Sequence, residues 1–163
     1  MVSQLNLDKA YLRMCHEWAK LSYAERKQVG ALIVKDNQII SDGFNGSPAG
    51  FENVCEDLYG KTLKCVLHAE SNAITKLAKG TSSSRGATLY ITLSPCYECS
   101  KLIIQAGIKR VVYTNSYRIK DGLTLLKKAG IVVDNMENIN HVNGKKKSSN
   151  ATVVFARNEP EGP

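Results

Sequence analysis

The sequence predicts an α/β protein, a three-layer α/β/α sandwich around a mixed five-stranded sheet. Three observations carry that expectation. Apolar residues recur at helical spacing near the N-terminus and in several later segments, which alternate with short β-branched runs. The segments follow one another as αββαβαβα with a closing strand, and strands joined through helices in the second half should run parallel. The size fits one domain: 163 residues, 43% hydrophobic and 23% charged, are enough for a single core without staples.

Taken in order, Leu7, Tyr11, Met14, Cys15 and Trp18 share a helical face, so a first amphipathic helix is expected over about residues 6–22. Val29 to Val34 is apolar and β-rich, and Lys35-Asp36-Asn37 turns the chain into a second strand from Gln38 to Phe44. Gly46, Pro48, Gly50 and Gly60 then break the pattern into a long, unstructured-looking loop, the kind of segment that tends to carry function. His68 to Lys79 reads as a helix stopped by Gly80, and Ala87 to Leu93 as a third strand. Ser94 is expected to cap the next helix, with Pro95 at its first position, where a missing N–H costs nothing. That helix ends near Ala106. Val111-Val112-Tyr113 makes a fourth strand, Asp121 caps a short helix ending at Gly130, and Ile131-Val132-Val133 makes a fifth. Residues 1–136 are thus the expected domain. Residues 137–163 are Asn-, Lys- and Ser-rich, with only Thr152 to Phe155 strand-like, and read as a polar, mobile tail.

No apolar run approaches the ~20 residues that span a bilayer, and the N-terminus lacks the regions of a signal peptide. A cytoplasmic protein without a membrane partner is expected, in which thiols stay reduced and a C-x-x-C binds metal or takes part in catalysis. The net charge of +7 suits an anionic partner, either a nucleotide phosphate or a nucleic acid backbone. Part of that charge, Lys145-Lys146-Lys147, lies in the tail and reads as a solvated run.

The chemistry concentrates in His68-Ala69-Glu70 and Pro95-Cys96-Tyr97-Glu98-Cys99. Cys96 and Cys99, three apart at a helix start, present both sulfurs to one side. Free N–H groups and the positive end of the helix dipole favour thiolates there. His68 opens another helix, and the two helix starts can converge on one ion. Three protein ligands leave a fourth position for water, the arrangement of a catalytic zinc. Glu70 is then the proton carrier beside that water. Glu98 is the rival carboxylate, but between the cysteines it should face solvent. A redox pair would explain neither His68 nor Glu70, and a structural Cys₄ site needs a second close pair that Cys15, Cys55 and Cys65 do not supply. Cys15 lies on the apolar face of the first helix and reads as a buried thiol. Cys55 and Cys65 flank the long loop; they read as free thiols, with a second, structural zinc as the alternative. His16 and His141 have no partners in the pattern and read as surface residues.

The combined pattern H-x-E…P-C-x-x-C is similar to the signature of zinc-dependent nucleobase deaminases. From about Leu7 to Asn135 the chain resembles the cytidine/deoxycytidylate deaminase superfamily, and within it the deoxycytidylate (dCMP) deaminases. The resemblance also rests on Arg26-Lys27-Gln28-Val29-Gly30-Ala31, on Gly43-Phe44-Asn45-Gly46-Ser47-Pro48-Ala49-Gly50, on Ser71-Asn72-Ala73-Ile74 and on Leu102 to Lys109. Nucleoside cytidine deaminases usually have cysteine at the position of His68. Transfer-RNA adenosine deaminases lack the N-G-x-P-x-G loop, and polynucleotide cytosine deaminases carry tryptophan where Leu93 stands.

The resemblance implies a cytidine deaminase-like fold and hydrolysis of dCMP to dUMP and ammonia, supplying the dTMP precursor, with one zinc per chain on His68, Cys96 and Cys99. It implies that Asn45 contacts the sugar, and that the backbone N–H of Ala69 and the carbonyl of Ser94 hold the pyrimidine edge. Arg26 and Tyr117 are the candidates for the 5′-phosphate, with Arg118 and Lys120 as alternatives; Arg offers phosphate a planar fork, although Arg26 also reads as an exposed loop charge. It further implies a homo-oligomer, often hexameric, activated by dCTP and inhibited by dTTP. The effector pocket would lie at Gly46, Ser47, Pro48, Ala49 and Gly50, with Mg accompanying the triphosphate; the same glycines also suit a plain tight turn. Two departures stand out. Relatives often carry a richer set of Cys and His ligands around the long loop, and the tail has no family counterpart. The alternative functions are another zinc nucleobase deaminase, acting on transfer-RNA adenosine or a free base, and a non-catalytic zinc module that binds nucleic acid. The second leaves Glu70 without a purpose.

Overall fold

Ser3 starts the first helix earlier than its apolar pattern suggests. Its hydroxyl accepts the Asn6 N–H at 3.3 Å, satisfying one of the donors a helix start leaves free, and α1 runs Gln4–Ala19. The computed structural model describes residues 1–137. After α1 come β1 (Gly30–Lys35), β2 (Gln38–Phe44), α2 (Ala69–Leu77), β3 (Thr88–Leu93), α3 (Tyr97–Gln105), β4 (Arg110–Asn115), α4 (Asp121–Lys128) and β5 (Val132–Asn135). Thr152 to Phe155, Lys145 to Lys147 and His141 lie outside the described residues, as does the tail from residue 138 onward.

The strands form one mixed sheet in the order β2-β1-β3-β4-β5. β1 is antiparallel to β2 and β3, while β3, β4 and β5 are parallel. Asp36 and Asn37 take φ of 50° and 60°, the left-handed pair that a two-residue hairpin needs. Alternation in the central strands sorts the core into two layers. Ala31, Ile33, Leu89, Ile91, Val111 and Tyr113 face α2, α3 and α4, through Ala69, Ala73, Ile103, Leu123 and Leu126. Leu32, Val34, Tyr90 and Val112 face Tyr11, Leu12 and Cys15 of α1. Strands buried on both faces read as continuous apolar runs, which is why β1, β3 and β4 were visible in the sequence.

α1 is also tied to the sheet by a polar network. Arg110 donates to both Asp8 oxygens at 2.8 Å and to Asp134 at 2.7 Å, and the Tyr90 hydroxyl donates to Asp8 at 2.6 Å. Burial would raise the Asp8 carboxyl, but these partners and Gln4 hold it below its ordinary value.

The structure corrects four local expectations. Ser94 does not cap α3; the N-cap is Cys96, because the Ser94 hydroxyl accepts the Tyr117 N–H at 2.7 Å. Asp121 does not cap α4 either, since Lys120 holds that position and Asp121 sits in the first turn. His16 is half-buried, with Nε2 3.1 Å from the Thr114 hydroxyl, so it belongs to the seam between α1 and β4. The long loop is organised: bridges join Gly46 to Leu67 and Glu56 to Thr62, and the Asp57 carboxylate accepts the N–H groups of Tyr59 and Lys61 at 2.9 Å.

Candidate active site

Two helix starts meet at one point. His68 is the N-cap of α2 and Cys96 the N-cap of α3, both in extended backbone and neither using its side chain to cap its helix. Those side chains are therefore free to face each other. His68 Nδ1 lies 3.5 Å from Cys96 Sγ and 3.4 Å from Cys99 Sγ, and the three donor atoms lie within 4.8 Å of one another. A tetrahedral zinc with Zn–N near 2.05 Å and Zn–S near 2.3 Å would separate N from S by about 3.6 Å. The donor set fits such an ion. Among the described residues it is the single group of three His, Cys, Asp or Glu placed to hold one. Cys55 is buried and Cys65 exposed, and no third such ligand joins them among the described residues.

Electrostatics around the donors point the same way. The Cys99 thiol and then His68 hydrogen-bond the Cys96 sulfur and bring its pKa down to about 4, while Cys99, which lends the proton, is pushed up. A dication held between the sulfurs would replace that shared proton and make both thiolates. Glu70, in the first turn of α2, is only 4% exposed. Burial raises its pKa to about 7, with the His68 charge and its own N–H opposing. A buried carboxyl raised in this way and set beside the donor group is suited to general acid–base work. Glu98 is exposed and pairs with Lys101.

α4 docks closely at the start of α3. A Cβ on Gly122 would come within 2.5 Å of the Pro95 carbonyl oxygen and 2.8 Å of the Cys96 carbonyl carbon, so glycine is required for that approach.

His68, Glu70 and Cys96 open into a cavity of about 450 Å³, large enough for a small ligand. Asn45, Ala69, Ser94, Arg26, Tyr117 and Arg118 line it with them. Lys120 and the turn Gly46, Ser47, Pro48, Ala49 and Gly50 are not among its lining residues. Asn45 is committed on both sides of its amide: Oδ1 accepts the Val29 N–H and Nδ2 donates to the Lys27 carbonyl, each at 2.8 Å. The lining also includes Glu56, Thr62 and Val66, which sequence reasoning missed. They come from the long loop, whose length was the only signal, and no spacing rule marks them.

The fold and this donor set define a zinc-binding deaminase domain. Residues 5–115 match the family model for the cytidine and deoxycytidylate deaminase zinc-binding region, and the chain belongs to that family. It is 37% identical to the deoxycytidylate deaminase of Enterobacteria phage T4 over 161 residues, covering 71% of this chain and 83% of that protein. It is 38% identical to the human deoxycytidylate deaminase over 115 residues, 65% of this chain and 64% of that one. The crystal structure of a dCMP deaminase from cyanophage S-TIM5, in complex with dCMP and dUMP, superposes with a TM-score of 0.80 at 43% identity. That match covers 83% of this chain and all of the other.

Proposed function

We propose that the chain is a zinc-dependent hydrolase converting dCMP and water into dUMP and ammonia. The observation that carries this reading is a single cavity. It joins the His68, Cys96 and Cys99 donor set and the buried Glu70 to the cationic residues Arg26, Lys27 and Arg118. His68, Cys96 and Cys99 would hold a zinc ion, which would supply a water acidified to a pKa of about 7. Glu70 takes a proton from the water as its oxygen bonds to C4, and delivers that proton to N3. It then carries the remaining water proton to the N4 amine, the C4–N4 bond breaks and ammonia leaves. The N–H of Ala69 and the carbonyl of Ser94 hold the pyrimidine edge. Asn45 serves the sugar with the capacity left after its two backbone bonds, one further N–H and one lone pair. Arg26 and Tyr117 hold the 5′-phosphate, with Arg118 beside them.

The proposal extends to finer features, most of them suggested by the family resemblance. Residues 1–136 form the deaminase domain and 137–163 a tail appended to it. dCTP with Mg activates and dTTP inhibits at Gly46 to Gly50, where Gly50 takes φ +90° in open space. The chain assembles as a homo-oligomer, a hexamer by resemblance, in the cytoplasm. Among the described residues no helix is long and apolar enough to cross a membrane.

The test is ammonia release from purified protein given dCMP, deoxycytidine, dCTP and adenosine-containing RNA, alongside elemental analysis for about one zinc per chain. dCMP should have the highest kcat/KM. Equal values for dCMP and deoxycytidine would reject the substrate while leaving the chemistry, and faster release from RNA would favour the adenosine alternative.

A further inference from the structure

The cavity has a second carboxylate, and the reaction above gives it no task. Glu56 lines the wall that also holds Arg26 and Lys27. An acid beside two cations would ordinarily pair with them, yet among the described residues no ion pair joins Glu56 to either. Its two oxygens instead take backbone donors: Oε2 accepts the Glu25 N–H at 3.2 Å and Oε1 accepts the Arg26 N–H at 3.3 Å. Two consecutive amides form a small anion-binding concavity, here filled by a side chain of the protein.

The turn at residues 25–27 is exposed, and fixing such a turn costs conformational entropy. Glu56 is well placed to oppose that cost because its own base is held. It bridges to Thr62, the Asp57 N–H donates to the Lys61 carbonyl at 2.9 Å, and the Leu63 N–H donates to the Cys55 carbonyl at 2.9 Å. The carboxylate thus grips the backbone of Arg26 and leaves its guanidinium unpaired by Glu56.

We propose that Glu56 is a positioning residue for nucleotide recognition: its carboxylate holds the residue 25–27 turn so that Arg26 and Lys27 present their charges to the 5′-phosphate. This rests on the dCMP reading. A rival role has the opposite sign, in which Glu56 occupies an anion site that the phosphate must take from it.

Kinetics of Glu56→Ala and Glu56→Gln with dCMP and deoxycytidine separate these roles, with zinc content and Tm measured on the same samples. Losing two hydrogen bonds to a charged acceptor should raise KM for dCMP about tenfold or more. kcat/KM for deoxycytidine should stay within about twofold, since no phosphate is there to be held. Gln keeps one acceptor oxygen and should fall between wild type and Ala; it also carries the test if Ala folds poorly. In an Arg26→Ala background, removing Glu56 should change dCMP kinetics far less than in wild type, because partners in one network are not additive. A lower KM for dCMP in either variant overturns the proposal in favour of the rival. Equal losses for both substrates, or full additivity with Arg26→Ala, reduce Glu56 to general support of the fold and overturn it too. A wild-type enzyme that does not prefer dCMP overturns the substrate reading and this proposal with it. A preference for dCMP that is undiminished in Glu56→Ala overturns this proposal alone.

Discussion

Gly43→Ala should empty the metal site without touching a metal ligand. Gly43 lies on β2, paired with Ala31 of β1, where α2 crosses the sheet. A Cβ there would stand 2.3 Å from the Ala69 carbonyl oxygen and 2.7 Å from the Ala73 backbone nitrogen. Ordinary contact is about 3.5 Å, so α2 must withdraw by about 1 Å, or β2 must leave its ladder with β1. The N-cap and first turn of α2 carry His68 and Glu70, whereas Cys96 and Cys99 lie at the N-cap and first turn of α3 and stay in place. A shift of that size can open the His68 Nδ1 to sulfur separations to as much as about 4.4 Å. That is the sum of one Zn–N and one Zn–S bond, where only a linear arrangement remains. We expect zinc well below one per chain and dCMP turnover down about a hundredfold. Overpacking should also cost about 1–3 kcal/mol of stability. The assay is elemental analysis and ammonia release on folded, purified protein. Gly80→Ala serves as the control, since its Cβ would meet nothing closer than 3.9 Å. Full zinc and near-wild-type turnover in Gly43→Ala would refute the claim that the helix–strand approach sets the metal geometry.

Glu70→Gln keeps the shape of the buried side chain but cannot carry a proton, so turnover should drop about 10²–10⁴-fold while elemental analysis still finds zinc. Ser94→Ala removes the hydroxyl that accepts the Tyr117 N–H. KM for dCMP should rise severalfold, corresponding to about 1 kcal/mol, and an unchanged KM would separate the β4–α4 loop from phosphate binding. The Asp8 carboxyl is held below its ordinary value, so its stabilisation is complete above the unfolded pKa and is lost as pH falls through the folded one. Asp8→Asn should therefore destabilise the protein by about 3 kcal/mol near neutrality and flatten the loss of stability in acid. Parallel acid-denaturation curves for the two proteins would show that Asp8 does not contribute to that loss.

The fold was legible where one period ruled each segment. β1, β3 and β4 announce themselves as apolar runs because both their faces are covered. The parallel order of β3, β4 and β5 follows from their helical connections. Errors came where a side chain had two uses. Ser94 has the residue type and position of a helix cap, but its hydroxyl serves a loop distant in sequence, 23 residues on. His16 has no neighbour in the sequence pattern that explains it, because its partner Thr114 arrives from β4. Local propensity weighs a residue against its neighbours along the chain, and tertiary contacts override it.

The same division runs through the site. The candidate metal donors His68, Cys96 and Cys99 and the buried carboxyl of Glu70 occupy two short segments because a helix start offers several groups within one turn, and chemistry at a single ion needs little more. Their spacing is therefore readable. Recognition of a ligand larger than the ion has to reach across the cavity, and no single element spans it. Arg26 stands on the approach to β1, Tyr117 on the β4–α4 connection and Glu56 on the long loop, while all three line one cavity. Two of them are held by a bond from another part of the chain: the Arg26 backbone by Glu56, the Tyr117 backbone by Ser94. Such residues have no fixed offset from one another, so periodicity and motif spacing pass over them. Substitutions at His68, Glu70, Cys96 and Cys99 should then lower turnover for every substrate alike. Substitutions at Glu56, Arg26 and the Ser94 hydroxyl should narrow the preference for dCMP while the chemistry persists.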